Sequence, residues 1–427
     1  MPDSGERQGR GLRSEEKVSL ALLALPTFAL ALSITMVSSY LGEVTRKFTQ
    51  DTIVIGVIIG SEGVMALWVP LLAGAWSDRL RSRIGGRLPF VVVGALPAAV
   101  ALGVLGFLHS LFSVAVVTAV FFAFYFVAYE PYRAMYPDML DSEEVAGRAQ
   151  STQAVARGLG TGTALLAGGL LLSVARQLPF VVFAVVLVAA VGAFVALIVR
   201  RGVPDQGRQR GGVRVRDLAR RLPAVIAERP ALRAYLIANA LWETALSALK
   251  AFVILYLTIG LGYQLSTSAL LIGGVALIIL VGAGAAGKLG DRLGRLRVVA
   301  VALVLYGAGF IVPALTTSRA LLGAAMPFMA LGGGAVMTMA YAVLMPLMPE
   351  DEHGLLTGFY SVSRGIGIVS GPILAGLAIS LSKGGPFSAT QGFQAMWIVC
   401  AAAALTSLLL VRQLRHERVE ERELSRV

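Results

Sequence analysis

The chain has little with which to do covalent chemistry. A single cysteine stands among 427 residues. No internal disulfide can form, and Cys400, in the last apolar run, reads as a packing residue. Charged residues make up only 15%, and lysine is scarce: Lys17, Lys47, Lys250, Lys288 and Lys383 stand against 32 arginines. There is no cluster of metal ligands at a recognised spacing, no nucleophile elbow and no phosphate-cradling glycine loop beside a strand. Neither an enzyme nor a resident cofactor or metal is expected.

What fills the chain is apolar. Hydrophobic residues make up 56%, and mean hydropathy is +0.76. One core in water could not hide that much surface. The charges fall in short runs between apolar stretches of about 20 residues, the length that crosses a bilayer core as a helix. In hydrocarbon every backbone polar group must be satisfied within the segment, so these stretches are expected to be helices. The net charge of +12 does not point to nucleic acid, because the arginines flank the apolar runs, as the positive-inside bias arranges them. No cleavable signal is expected: the first apolar run, after a polar start, is long enough to be a retained span.

Twelve such runs can be marked, from 18–41 at the start to 391–412 at the end. The widest break, 200–230, is rich in Arg, Gly and Gln and divides six runs from six. The expected organisation is an N-terminal bundle (1–199), a linker with a short amphipathic helix (200–230), a C-terminal bundle (231–412) and a tail (413–427). One set of loops carries Arg79, Arg81, Arg83, Arg87, Arg148, Lys288, Arg292, Arg295 and Arg297. The opposite set carries little, which makes the basic side and both termini cytoplasmic. The chain is expected in the cell (inner) membrane, as a monomer.

Two segments occur twice. GAWSDRLRSRIGGRLPF at Gly74 and GKLGDRLGRLRV at Gly287 share Gly-x-x-x-Asp-Arg, each after the second run of its half. AVARGLGTGTALLAGG at Ala154 and SVSRGIGIVSGPILAG at Ser361 open the fifth and eleventh runs, matching Arg157 to Arg364. The two offsets nearly agree. The expected fold is all-α: twelve transmembrane helices in two parallel, pseudo-symmetric six-helix halves with a site between them.

The doubled signature resembles that of the major facilitator superfamily. WSDRLRSRIGGRLPF is similar to the sucrose-transporter pattern WSDR-x-x-SR-x-GRR-x-PF, with Gly86 in place of one Arg. PYRAMYPD, Pro131 to Asp138, is similar to that branch's P-x-RA-x-x-x-D. The resemblance implies a carrier close to the glycoside–pentoside–hexuronide group, with Arg133 in transport. Sodium-coupled members have Asp two residues before this Pro, where this chain has Tyr129, so the resemblance does not imply sodium coupling.

Ionisable groups inside spans are costly and mark functional candidates. They are Glu62, Glu130, Arg133, Arg157, Glu243, Lys250 and Arg364. Glu62 lies 16 residues before Asp78, about 24 Å of helix, with no charged neighbour in its own span; it needs a partner from elsewhere or a proton. Glu130 and Arg133 share a face, either as a self-neutralising pair or with Arg133 presenting forked donors to substrate. Asn239, Glu243 and Lys250 form one stripe beside Trp242, expected to face a water-filled cavity. Lys250 is suited to a switchable pair with Glu243 or Glu62. Asp78, Arg79, Arg83, Arg157, Asp291, Arg292 and Arg364 are assigned to a cytoplasmic gate, the alternative being loop anchors at the headgroups. Glu43 and His109, at outer span ends, are read as solvated.

Together these features predict a secondary transporter working by alternating access: a symporter of a small molecule, a sugar or glycoside, coupled to H+. The alternative is a drug–proton antiporter, whose fifth-span Gly-Pro motif is lacking here. A non-transporting sensor is a reading of another class.

Overall fold

The computed structural model describes residues 14–77, 80, 87–135, 143–201, 227–345 and 353–424. Among them twelve helices are long and apolar enough to cross a membrane. The N-terminal six are α1 (Ser14–Thr45), α2 (Thr52–Ser77), α3 (Leu88–Leu105), α4 (Leu111–Ala134), α5 (Glu143–Val174) and α6 (Leu178–Arg201). The C-terminal six are α7 (Pro230–Leu255), α8 (Leu265–Leu293), α9 (Arg295–Leu315), α10 (Arg319–Leu344), α11 (His353–Ser382) and α12 (Met396–Leu424). One π-helical turn, Tyr256–Gly260, extends α7.

Several helices outrun the apolar stretches that betray them. α5 starts at Glu143, α8 runs on to Leu293, and α12 continues through most of the expected tail. The added residues of α12 are mainly Glu, Arg, Gln and Leu, good helix formers in water. The membrane sets where a helix must be apolar, not where it must end. Between α8 and α9 the chain turns at Gly294, whose φ of 90° only glycine adopts readily. Most of the expected linker, with its amphipathic helix, lies outside the described residues.

The packing shows the duplication. In the N-terminal half α1 packs on α5 and α6, α3 on α4 and α6, and α2 on α4. Each pairing recurs six helices later: α7 on α11 and α12, α9 on α10 and α12, α8 on α10. The halves join where α2 meets α11, α5 meets α8 and α1 meets α7.

Close backbone approach makes these joints, and small residues allow it. A Cβ on Gly158 of α5 would strike Leu280 of α8, and one on Gly365 of α11 would strike Leu67 of α2. Gly158 and Gly365 each follow the repeated arginine. Leu67 and Leu280 stand at matching distances before Asp78 and Asp291. The repeat is therefore present in contacts as well as letters. Inside each half, Gly160 lies against the α1 carbonyl of Phe28, and Gly367 against the α7 carbonyl of Ala240.

Gly160→Val should push α5 off α1 and cost about 1–3 kcal/mol, read as a lower midpoint of thermal unfolding in detergent. Gly74→Ala should be neutral within about 0.5 kcal/mol, because nothing lies within 4 Å of its missing Cβ. Equal losses in the two variants would show that crossing distance does not set the packing.

Candidate functional site

The close crossing of α7 and α11 creates the central polar contact. With no side chain at Gly367, α11 comes up against the Cβ of Glu243. Arg364, about one turn earlier on α11, then reaches across. Its Nε donates to Glu243 Oε1 at 2.9 Å. The carboxylate side chain is 9% exposed and the guanidinium 42%. The arginine thus neutralises a buried acid while its own side chain stays partly exposed.

Beside this pair lies a narrow cavity. α7 supplies Glu243, Ser247 and Lys250, and α11 supplies Ile368 and Pro372. The other half supplies Ser38 of α1 and Ile59 and Glu62 of α2. Glu62 is buried. The charged neighbour it lacks in its own helix is found on α7 of the opposite half, where Lys250 lines the same space. Two carboxylates and one ammonium facing one cavity, with Arg364 behind, form a compact charged set in a low-dielectric interior, where pairing decides its cost.

A second group sits on α4 and α5. Tyr125 and Tyr129 stack with ring centroids 5.5 Å apart, and the Arg157 guanidinium lies 6.0 Å from the Tyr129 ring centroid. Glu130 and Arg133 are a loose pair, 3.9 Å between Oε2 and Nε, with Arg133 44% exposed. At that length Glu130 does not hold the Arg133 fork, which also meets the Tyr129 side chain.

Other candidates fall elsewhere. Asn239 and Trp242 are buried in helix contacts and do not line the cavity. Asn239 Nδ2 donates to Ser363 Oγ on α11 at 2.8 Å, and Trp242 Nε1 donates to Ser407 Oγ on α12 at 2.9 Å. Their side chains face neighbouring helices because α7 is packed nearly all round. Arg364, expected in the gate, lies in the central set. Asp291 and Arg292 are exposed in the last turn of α8, while Asp78, Arg79 and Arg83 lie outside the described residues. His109 is exposed. Glu43, by contrast, falls within the last turn of α1, 14% exposed and 3.6 Å from Arg46 Nε. Sequence reasoning missed Ser247 and Tyr125, though each stands one turn from a residue it had chosen, Glu243 and Tyr129.

The halves are closed at the end bearing the α1–α2 and α11–α12 loops. There Lys383 Nζ donates to the Gln50 carbonyl at 2.8 Å, and Thr52 Oγ1 donates to the Gly376 carbonyl at 2.8 Å. The partly exposed Arg133 and Arg364 lie toward the other, basic end.

A twelve-helix membrane bundle of two parallel halves, with charged groups converging between them, is the architecture of a secondary transporter. The family model for the Major Facilitator Superfamily matches residues 23–286 and 244–426, and the chain belongs to that superfamily. Over 111 residues it is 30% identical to the "Uncharacterized MFS-type transporter Rv1877" of Mycobacterium tuberculosis (strain ATCC 25618 / H37Rv), a match covering 26% of this chain and 15% of that protein. Over 86 residues it is 30% identical to the "Uncharacterized MFS-type transporter YfiU" of Bacillus subtilis (strain 168), covering 20% of this chain and 17% of that one. These matches span less than a fifth of either relative. The fold is similar to a crystal structure of a bacterial homolog to the human lysosomal transporter Spinster in an inward-facing, occupied conformation: TM-score 0.77, 14% identity, 95% of this chain and 98% of that one. It is also similar to the crystal structure of the nucleoside transporter NupG: TM-score 0.71, 14% identity, 94% of this chain and 99% of that one.

The Glu243–Arg364 pair can be weighed by a double-mutant cycle. Arg364→Gln should destabilise more than Glu243→Gln, because it strands the buried carboxylate whereas the arginine left alone reaches water. With one partner wet, the larger loss should be about 1–3 kcal/mol, below the range for fully buried pairs. The double variant should lose less than the sum of the singles. Additive losses in thermal unfolding would mean that the two side chains do not interact.

Proposed function

We propose that the chain is a proton-coupled secondary transporter that moves a sugar or glycoside by alternating access, and that this structure is its inward-facing form. The observation that carries the coupling is the shared cavity of Glu62, Glu243 and Lys250 between the halves. Protonating one acid changes the charge of a set that must otherwise balance in low dielectric, and its readiness to do so depends on its partner and exposure. The positive-inside reading makes the basic end cytoplasmic. The closure by Lys383 and Thr52 then lies outside.

The sugar reading is supported by the likeness of WSDRLRSRIGGRLPF and PYRAMYPD to the sucrose-type patterns. Arg133, with donors not committed to Glu130, is suited to substrate hydroxyls, and the stacked Tyr125–Tyr129 pair supplies aromatic surface nearby. Tyr129 stands where a sodium-site Asp would be, which favours H+ over Na+.

Proteoliposomes loaded with a pH-sensitive dye should acidify inside when a transported sugar from a screened panel is added outside, with or without sodium. Glu62→Gln should abolish the acidification while leaving substrate counterflow, which needs no net proton movement. Arg133→Lys should lose most uptake although the charge is kept, because a point charge cannot replace the fork. Uptake that depends on a sodium gradient would overturn the proton assignment. Alkalinisation evoked by lipophilic cations, with no response to sugars, would make the chain an antiporter.

A further inference from the structure

We propose that the basic-end groove between α7 and α12 is a binding site for an anionic phospholipid. The groove has a volume of about 380 Å3. Arg233 of α7 and Arg412 and Gln413 of α12 supply its polar groups, and Pro230, Ile237 and Leu410 its apolar wall. It lies far along both helices from the central cavity and shares no residue with it.

Three features define the ligand. The first is charge: two arginines from different helices line one groove, and among the described residues neither makes an ion pair. The nearest acids in sequence are Glu228, exposed just before α7 and followed at once by Arg229, and Glu417, five residues beyond Arg412. The first turn of α7 adds the positive end of its dipole. An anion is favoured, and a guanidinium pair suits a phosphate group.

The second feature is depth. The spans bounding the groove run Pro230–Gly260 and Phe393–Leu414, which puts both arginines at a bilayer boundary. There a basic residue attracts acidic headgroups. The third is the wall. Ile237, one turn deeper than Arg233, is 48% exposed, and Leu409, next to Leu410, is 60% exposed. The groove therefore runs from a charged rim onto the lipid-facing surface. A phosphodiester at the level of the arginines places its acyl chains along Ile237 and Leu410. A free phosphate would use the rim and leave the wall bare.

The test uses the purified full chain in a neutral detergent, titrated with phosphatidylglycerol, phosphatidylethanolamine or inorganic phosphate and followed by thermal unfolding. Phosphatidylglycerol should raise the midpoint saturably, and the other two should not. Each of Arg233→Gln and Arg412→Gln should weaken the phosphatidylglycerol response about fivefold, the effect of one basic residue at an acidic surface. Arg233→Lys, which keeps the charge, should retain most of it. A control, Arg319→Gln at the opposite end, should behave as wild type. If one of the two glutamine variants does not fold, the other carries the same reading. Wild-type affinity for phosphatidylglycerol in both singles would overturn the proposal. An equal response to inorganic phosphate would also overturn it, in favour of a free-anion site.

Discussion

A carboxylate buried between two membrane helices cannot be left alone, and Glu243 is the point at which this chain meets that constraint. Leaving a charge unpaired in such surroundings is destabilising. The remedy is Arg364, but its reach depends on backbone geometry. α11 must lie close enough to α7 for one arginine to span the gap, and Gly367 permits this by having no Cβ. Gly371, further along, tightens the same crossing against Thr244 and Ser247. Charge, crossing distance and small residues thus form one requirement. A larger side chain at Gly367 would push α11 off Glu243 and break the pairing although both partners are still present.

The duplicated half has the same scaffold without the same chemistry. The missing Cβ of Gly160 on α5 would meet Ala31 on α1, just as that of Gly367 on α11 would meet Glu243 on α7. Where the C-terminal half has its acid, the N-terminal half has a methyl group. Arg157, the counterpart of Arg364, lies over the Tyr129 ring instead. The packing is symmetric because helix crossings need small residues in both halves. The charges are asymmetric because nothing in the packing calls for a second acid.

This difference explains what could be read from the letters. The spans, their number and the duplication follow from apolar length and repeated motifs, both local signals. The candidates Glu62, Glu243, Lys250 and Arg364 stand out because charge is rare inside spans. Which of them meet is another matter, since it depends on rotation and crossing distance. The Asn239–Lys250 stripe is a real helical face at its Glu243–Lys250 end, where it opens on a cavity. At Asn239 the same face meets Ser363 of α11, and polarity there serves packing. A helical wheel shows neither the neighbour nor the depth. Symmetry with Arg157 draws Arg364 toward the gate, and only the three-dimensional crossing separates the two.

The placement of the partners also bears on how coupling would work. Glu243 and Arg364 belong to one half, so a rigid rocking of the halves carries both together and leaves their bond intact. Glu62 belongs to the other half and faces Lys250 across the joint. Of the charged groups at the cavity, Glu62 is the one whose neighbours rocking must change. When the joint is closed, as here, Glu62 is buried and shares its cavity with Lys250. When the halves part around α2 and α11, Glu62 loses both that neighbour and its burial, the two influences that decide whether an acid keeps its proton. In the proposed cycle a proton is therefore taken up and released at Glu62, while the Glu243–Arg364 pair serves as the fixed charge against which the change is felt. The division of labour follows from which half each residue stands on: of the two cavity acids, Glu62 alone stands across the interface from Lys250.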